Sequence, residues 1–131
     1  MNLNIPEDLS YTRTHEWARV HNDEVTVGIT AYATEQMNKE IVNVDLPTVG
    51  TQLALNASFG VVDSVKAAFD LYTPVAGEVV EVNQQVLDDP AIVAGSPFQE
   101  GWMIKIRMGS AEDLKSLLGP DDYRELIKSE E

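Results

Sequence analysis

The segment SFGVVDSVKAAFDLYTPVAGEVV, residues 58–80, decides the fold. It contains two runs rich in β-branched and aromatic residues, SFGVVD and FDLYTP, and a third run, GEVV, after a short connection. Lys66 lies between the first two runs and is the only basic residue from position 40 to position 104. Because strand-type sequence flanks it on both sides, we expect Lys66 to lie at the tip of a β-hairpin.

Further β-type runs extend from this segment in both directions. YTRTHEWARV and EVTVGIT flank the turn-forming HND at positions 21–23, which predicts another hairpin. IVNVDLP, VGTQLA and WMIKIRM also have strand-type patterns, and apolar residues alternate in the last of them. Parallel α/β layering needs a helix between most strands, which this sequence lacks, so the pattern predicts a β-sandwich or barrel-like fold.

Helical patterns occur in two places. Thr30 can cap a short helix formed by AYATEQM. Near the C-terminus, Ser110 is a candidate cap with Asp113 three residues further on, in the arrangement of a capping box. A Gly-Pro pair ends that helix, and the acidic start of DDYRELIKS predicts a second one.

The composition limits the classes of function. At 131 residues the length predicts one domain, and the absence of cysteine excludes disulfides and thiolate ligands. A formal net charge of -13 argues against binding to nucleic acids and anionic membranes. No apolar run is long enough to span a bilayer, and the first residues, MNLNIPEDLS, match no targeting signal. We therefore expect a cytoplasmic protein, or a mitochondrial one if a transit peptide has been removed.

The sequence shows no enzyme active site. His15 and His21 are too few for a metal site, so no metal is expected. There is no G-x-S-x-G nucleophile motif and no glycine-rich phosphate loop. Adjacent acids such as Asp88 and Asp89 are typical of a solvated surface and not of a general acid and base that face a substrate.

The simplest interpretation of Lys66 is a solvated loop lysine. Its neighbours Val65, Ala67 and Ala68 are small and apolar, so none of them can form an ion pair with it. A rigid hairpin tip that presents a single amine suits a modifying enzyme, which docks on the fold and reaches one nitrogen. Acylation there would remove the charge and extend an arm from the tip.

Four ordered blocks of the chain resemble one family. THEW, VGITAYATEQ, GVVDSVKAAFDLYTPVAGEVVEVN and GWMIKI are similar to segments of the H protein of the glycine cleavage system, from about Tyr11 to the C-terminus. The resemblance implies a mainly β, barrel-sandwich hybrid of two antiparallel sheets, with a short helix in the N-terminal half and two short C-terminal helices. It also implies a single lipoyl-carrier domain over residues 1–131, with lipoate covalently bound to Lys66, although protein made in another host can lack it.

The same resemblance implies a carrier that catalyses nothing alone. It would take the aminomethyl group of glycine from a pyridoxal-phosphate glycine decarboxylase (the P protein) to a tetrahydrofolate-dependent aminomethyltransferase (the T protein). It would pass electrons to dihydrolipoyl dehydrogenase (the L protein). A lipoate ligase, or a lipoyl or octanoyl transferase, would modify it. No nucleic acid and no membrane are expected among its partners.

The family holds the loaded arm in a surface cleft, and Thr14, Glu16 and Asp70 are the matching positions here. Two carboxylates would favour a protonated amine on the arm. Glu16 and Asp70 have an alternative interpretation as solvated acids at strand ends. At position 14 the family often has serine, and threonine keeps the hydroxyl while adding a methyl group.

The residues around the acceptor lysine are candidates for recognition by the ligase: Asp63, Ser64, Val65 and Ala67. The family usually has glutamate three residues before the lysine, so Asp63 is shorter by one methylene. Another difference is Asn38–Lys39, which replaces the glycine of the family's usual turn; asparagine can still adopt a left-handed conformation there.

Two other roles remain open from the sequence. A lipoyl relay protein, which donates its lipoyl group to 2-oxoacid dehydrogenase subunits, would have the same fold and the same lysine. A biotin carrier would need a Met-Lys-Met tip, whereas Val65 and Ala67 flank the lysine here.

Overall fold

The computed structural model describes residues 4–130 and contains short strands connected by turns and helices. Residues 1–3, which begin the MNLNIPEDLS segment, and residue 131 lie outside this range. The strands are β1 Ser10–Tyr11, β2 Glu16–His21, β3 Glu24–Ile29, β4 Ile41–Asp45, β5 Gln52–Leu53, β6 Ser58–Ser64, β7 Ala68–Tyr72, β8 Gly77–Val82 and β9 Ile104–Met108.

The helices are short and lie between or after the strands. They are α1 Ala31–Gln36, α2 Gln84–Asp88, α3 Ala91–Gly95, a 3-10 helix at Ala111–Ser116 and α4 Pro120–Glu130. Over residues 4–130, none of these helices has the length and apolar character needed to cross a membrane.

Two antiparallel sheets form the body of the protein. The six-stranded sheet has the order β1-β2-β3-β9-β8-β5, and the three-stranded sheet has the order β4-β6-β7. This confirms the predicted class, a mainly β fold of two antiparallel sheets with a few short helices. The sheets keep open edges and do not close into a barrel.

Apolar side chains from both sheets meet in the main core. Successive side chains of a strand point to opposite faces of its sheet, so each strand directs every second residue inward. A second, smaller cluster is largely aromatic and packs α4 against the start of the chain. The main core includes Val25, Val27, Ile29, Val62, Leu71, Ile104 and Ile106. The second cluster consists of Leu9, Tyr11, Trp17, Tyr32, Phe98, Tyr123 and Ile127.

The predicted first hairpin is confirmed, with two corrections. His21 is not a turn residue: it ends β2 and pairs with Glu24, so the turn itself is Asn22–Asp23, with Asn22 left-handed at φ 58°. The run YTRTHEWARV is not one strand either. It breaks between β1 and β2 at residues 12–15, because His15 adopts a left-handed φ of 72°.

The predicted helix after this hairpin is α1, and Thr30 caps it by accepting a hydrogen bond from Ala33 N at 3.2 Å. The turn after α1 needs two left-handed residues, Asn38 at φ 55° and Lys39 at φ 58°. Asparagine tolerates this conformation better than most residues. Lys39 Nζ also pairs with Glu35 at 3.0 Å, which holds the turn against the helix.

The connection between β8 and β9 contains two helices that the sequence did not predict. Asn83 caps α2 by accepting from Gln85 N, and Pro90 precedes α3 with a helical φ of -58°. Each helix has only five residues, too short for a clear helical period. Val86 and Val93 enter the main core, so tertiary packing and not local propensity stabilises them.

The C-terminal helices are present, and the first differs from its prediction. It is a 3-10 helix, and Ser110 Oγ caps it by accepting from Glu112 N at 3.2 Å. Asp113 does not complete a capping box. Its carboxylate instead accepts a hydrogen bond from Ala76 N at 2.9 Å and so ties the helix to the segment before β8.

Replacing Gly28 with alanine should destabilise the fold. Gly28 pairs with Trp17 across β2 and β3, and an added Cβ would lie 2.7 Å from Trp17 Cζ2. The Trp17 ring is buried and donates to Pro97 O at 2.9 Å, so it is not free to move aside. Overpacking of this kind costs about 1–3 kcal/mol. Urea denaturation should show this loss in the free energy of unfolding.

Gly95→Ala is the matched control, because a Cβ at Gly95 meets no atom within 4 Å. Its free energy of unfolding should stay within about 0.5 kcal/mol of the wild type or rise slightly. Equal stability of the two variants would show that the Trp17 ring accommodates the added methyl group.

Candidate functional site

Lys66 lies at the tip of the β6–β7 hairpin, as predicted. Ser64 N donates to Ala67 O at 2.8 Å, and the Ser64 hydroxyl oxygen accepts from Ala67 N at 3.2 Å. Val65 N donates to Glu40 O at 3.1 Å, which anchors the turn to the segment before β4. The backbone on both sides of Lys66 is therefore held by hydrogen bonds.

The side chain of Lys66 is exposed, and within residues 4–130 its amine has no hydrogen bond or ion pair. Other lysines are engaged: Lys39 pairs with Glu35, and Lys105 with Glu81 at 3.5 Å. The Lys66 amine is thus accessible to a reaction partner.

The four candidate recognition residues are neighbours of Lys66 along the hairpin. Asp63 and Ser64 are half-buried at the end of β6, whereas Val65 and Ala67 are exposed, Val65 by 62%. Asn43 Nδ2 donates to Asp63 Oδ2 at 3.2 Å across the β4–β6 pair. This hydrogen bond orients the Asp63 carboxylate on the sheet.

A cleft of about 510 Å³ opens between the start of β2, helix α1 and strand β7. Thr14, Glu16 and Asp70, the three residues predicted to form an arm-binding cleft, all line it. The other lining residues are Arg13, His15, Ile29, Tyr32, Ala33, Gln36, Met37, Ala68, Phe69, Leu71, Tyr72 and Glu130.

Glu16 is a buried residue, only 1% exposed, and so it is not a solvated strand-end acid. Its Oε1 accepts hydrogen bonds from the hydroxyls of Thr12 and Thr14, both at 2.5 Å. Its Oε2 accepts from Tyr72 N at 3.1 Å. A carboxylate offers about four acceptor positions, so one remains for a ligand.

Thr14 and Asp70 contribute to the cleft in different ways. Thr14 is exposed and acts on Glu16 through its hydroxyl, the group that a serine would also supply. Asp70 is exposed on β7, where its Oδ2 lies 3.5 Å from Tyr72 Oη. The cleft therefore combines the buried carboxylate of Glu16 with the exposed carboxylate of Asp70, and the third acid on its lining, Glu130, lies 2.9 Å from His15 Nε2.

Burial raises the pKa of the Glu16 carboxyl above its ordinary value of 4.5, and the hydrogen bonds from Thr12, Thr14 and Tyr72 offset part of that rise. Removal from water disfavours the charged form, whereas donors that point at the oxygens favour it. A cation bound in the cleft would favour the charged form further.

A narrow groove of about 60 Å³ lies beside Lys66 and leads towards the cleft. Gln36, Met37 and Phe69 line both the groove and the cleft. The path from Lys66 to Glu16 is thus bordered by both polar and apolar side chains, with Met37 and Phe69 as the apolar ones where the groove meets the cleft.

The sequence reasoning did not predict that His15 would line the cleft. His15 lines the cleft and contacts Tyr123 and Glu130 of α4. His21 is exposed at the end of β2, apart from this site. Over residues 4–130, no group of three or more histidines, aspartates and glutamates is arranged to hold a metal ion. The position of His15 within THEW, between two cleft residues, was the available signal.

Two antiparallel sheets with an exposed lysine at the tip of a hairpin are the arrangement expected of a carrier protein that is modified on a lysine. Comparison with known proteins identifies the family. The family model for the glycine cleavage H-protein matches residues 9–130, and the chain belongs to that family.

Individual relatives agree with this assignment. The glycine cleavage system H protein of Carboxydothermus hydrogenoformans is 45% identical over 126 residues, which is 96% of each chain. That of Chlorobaculum parvum is 47% identical over 95% of this chain and 98% of its own. The crystal structure of the H protein from Mycobacterium marinum superimposes with a TM-score of 0.88 at 35% identity, covering 95% of this chain and 99% of that one.

The free energy of unfolding should depend on pH through Glu16. Between pH 4.5 and the higher pKa of the folded state, the Glu16 carboxyl has lost its proton in the unfolded chain but keeps it in the folded protein. The folded state then binds more protons than the unfolded state. The contribution of Glu16 to stability therefore falls as the pH rises through the folded-state pKa.

Urea denaturation of the wild type and Glu16→Gln, from below pH 4.5 to neutral pH, measures this effect. The stability of the wild type minus that of the variant should decrease with rising pH and then become constant. A difference that is constant throughout, or that increases, would contradict the raised pKa.

Proposed function

We propose that this chain is the lipoyl-bearing carrier of the glycine cleavage system, with lipoate joined to Lys66 through an amide. The observation that carries the proposal is the amine of Lys66, unpaired within residues 4–130, at a hairpin tip next to a groove that borders the cleft containing Glu16 and Asp70. Family membership supports the assignment to this system.

The residues present fit lipoate. The Lys66 amine is unpaired within the described part of the chain and available for acylation. When bound, lipoate supplies a hydrocarbon arm with a terminal disulfide that takes up the aminomethyl group of glycine and two electrons. Met37, Phe69 and Leu71 give the cleft and its entrance apolar surface suited to the hydrocarbon part.

Glu16 and Asp70 supply negative charge where the cleft would receive a cationic amine. Glu16 is held in place by three hydrogen bonds and has one acceptor position free. A carboxylate beside an amine favours the protonated amine, and a charge-assisted hydrogen bond is about twice as strong as a neutral one. The lone pair of a neutral amine can form a C=N bond while the bond from the same carbon to sulfur breaks, after which water would release formaldehyde and ammonia. A protonated nitrogen has no free lone pair for this step. We infer that these carboxylates delay the loss of ammonia from the loaded protein.

The partners follow from this role. The chain would serve the glycine decarboxylase, the aminomethyltransferase and dihydrolipoyl dehydrogenase in turn, and would catalyse none of their reactions itself. The enzyme that acylates Lys66 would contact the exposed Val65 and Ala67 and the hairpin-end residues Asp63 and Ser64. We propose that residues 1–131 act as one carrier domain.

Acylation of Lys66 can be measured directly. Incubation with lipoate, ATP and a lipoate ligase should add one lipoyl group, which intact-mass analysis and peptide mapping would locate on Lys66. Lys66→Arg keeps the positive charge and should abolish the modification. Lys39→Arg and Lys105→Arg are controls, because both of these lysines are in ion pairs, and both variants should be modified like the wild type. A lipoyl group on the Lys66→Arg protein would refute the assignment.

Asp70→Asn tests the exposed carboxylate of the cleft. The variant keeps the shape of the side chain and removes its charge, so acylation of Lys66 should be unchanged. Ammonia should leave the protein faster after incubation with glycine and the decarboxylase, without tetrahydrofolate. A hydrogen bond to a charged group contributes about 1.5–3 kcal/mol, so the release should be roughly tenfold faster or more.

Asp45→Asn is the matched control for this experiment. Asp45 is an exposed acid of β4, in the same three-stranded sheet, and it does not line the cleft. The Asp45→Asn protein should release ammonia at the wild-type rate. If Asp70→Asn also does so, Asp70 is a solvated surface acid without a role in the cleft.

A further inference from the structure

His15 adopts a conformation that is unfavourable for most residues, with φ at 72°. Hydrogen bonds hold its backbone there: His15 N donates to Thr12 O at 3.3 Å, and His15 O accepts from Thr30 N at 3.0 Å. Glycine or asparagine would adopt this φ at lower cost. The imidazole ring makes contacts that glycine and asparagine could not make in the same way.

Both ring nitrogens of His15 have partners in helix α4. Nδ1 lies 2.8 Å from Tyr123 Oη, and Nε2 lies 2.9 Å from Glu130 Oε1. The Tyr123 hydroxyl also lies 2.7 Å from Thr30 Oγ1, which accepts from Ala33 N at the start of α1. A continuous hydrogen-bond chain thus links α1, His15 and α4.

For a neutral His15 ring beside an ionised Glu130 carboxylate, the chemistry of these groups gives the hydrogen-bond chain one direction. An ionised Glu130 carboxylate only accepts, so His15 Nε2 donates to it, and Nδ1 of the neutral ring is then an acceptor. Tyr123 O–H therefore donates to Nδ1, and the Tyr123 oxygen accepts from the Thr30 hydroxyl. Burial raises the pKa of the Tyr123 phenol, so Tyr123 keeps the proton that it donates.

Tyr123 is held firmly by its own packing, so it can position the His15 ring. Its side chain is fully buried, and its ring stacks on Tyr11 with centroids 4.5 Å apart and planes 7° apart. His15 contacts it ring edge to face at 5.6 Å. Packing thus sets the position of the Tyr123 hydroxyl, and the hydroxyl sets the position of the His15 ring.

We propose that Tyr123 is a positioning residue for the cleft: through His15 it holds the turn of residues 12–16, so that the Thr12 and Thr14 hydroxyls remain on Glu16. The proposal rests on the proposed function in so far as the cleft holds a cationic group. His15 immediately precedes Glu16, and Thr12 also accepts from Glu16 N at 3.0 Å. A turn released from Tyr123 would carry both hydroxyls away from Oε1.

If the turn were released from Tyr123, the pKa of the Glu16 carboxyl would rise. Its burial would persist while two of its donors would be lost, so its proton would be held more tightly. Other titratable groups that line the same cleft are Arg13, His15, Tyr32, Asp70, Tyr72 and Glu130. Tyr123→Phe, the main variant of the test below, alters none of these groups.

The wild-type protein gives the first test, and unmodified protein is sufficient. NMR of the ¹⁵N-labelled imidazole, recorded at a pH where the His15 ring is neutral, should show Nε2 protonated and Nδ1 accepting a hydrogen bond. A neutral ring protonated on Nδ1 would overturn the proposal without any variant being made.

Tyr123→Phe is the second test, because it removes only the hydroxyl and keeps the ring stacked on Tyr11. The midpoint of the Glu16 titration, followed by ¹³C NMR of its carboxyl, should shift upward. The amide signal of Tyr72, which donates to Glu16, should follow the same titration. The ¹⁵N signals of His15 should lose the signature of an accepting Nδ1.

Tyr11→Phe is the matched control. It removes another largely buried hydroxyl from the same aromatic cluster, one that donates to Pro6 O at 2.6 Å and does not contact the chain to Glu16. Its Glu16 midpoint should remain at the wild-type value. Equal midpoints in both variants, shifted or not, would show that Tyr123 has only a packing role.

His15→Asn provides an independent variant if Tyr123→Phe does not fold. Asparagine tolerates the left-handed φ but lacks the ring that reaches Tyr123, so the Glu16 midpoint should again rise. A wild-type midpoint in this variant would overturn the proposal. None of these readouts needs a modified Lys66, so absence of lipoylation would refute the proposed function and leave this inference standing.

Discussion

The carboxylate of Glu16 joins the two sheets, and the cleft depends on this contact. Glu16 begins β2 of the six-stranded sheet, and its Oε2 accepts from Tyr72 N on β7, at the edge of the three-stranded sheet. An edge strand presents unpaired backbone donors, which attract other chains unless they are covered. Glu16 covers one of them, and the hydroxyls of Thr12 and Thr14 satisfy its other oxygen. Burying a carboxylate is costly, and these three donors make the burial tolerable.

Within residues 4–130 the Lys66 amine is unpaired, because the other lysines form ion pairs and the acid nearest to it along the hairpin is hydrogen-bonded elsewhere. With 9 basic and 22 acidic residues, every lysine has many possible partners. Cross-strand and helical pairs engage the other lysines, for example Lys105 with Glu81 and Lys128 with Glu125 at 3.7 Å. Near the hairpin tip, Asn43 donates a hydrogen bond to the Asp63 carboxylate, and the residues on either side of Lys66 carry no charge. The acidic surface and the isolated amine are therefore compatible.

Local patterns in the sequence predicted most of the strands and the Lys66 hairpin, because alternation and turn residues act over a few positions. They did not predict α2 and α3, whose five-residue lengths depend on core packing of Val86 and Val93. They also placed Glu16 among possible surface acids, since its burial depends on β7, 56 residues away. The contact between His15 and Tyr123 spans 108 positions and leaves no local signal.

Strand β7, a short edge strand, contributes both apolar surface and negative charge to the cleft. Alternation along a strand directs successive side chains to opposite faces. Leu71 is buried in the main core and Phe69 borders the groove beside Lys66, whereas Asp70 between them carries an exposed charge. The cleft lies at this edge, so it can use both faces of the strand: the apolar residues border its inner side and Asp70 its rim. Glu16 then adds a second carboxylate from the opposite sheet, where burial makes its charge sensitive to whatever the cleft contains.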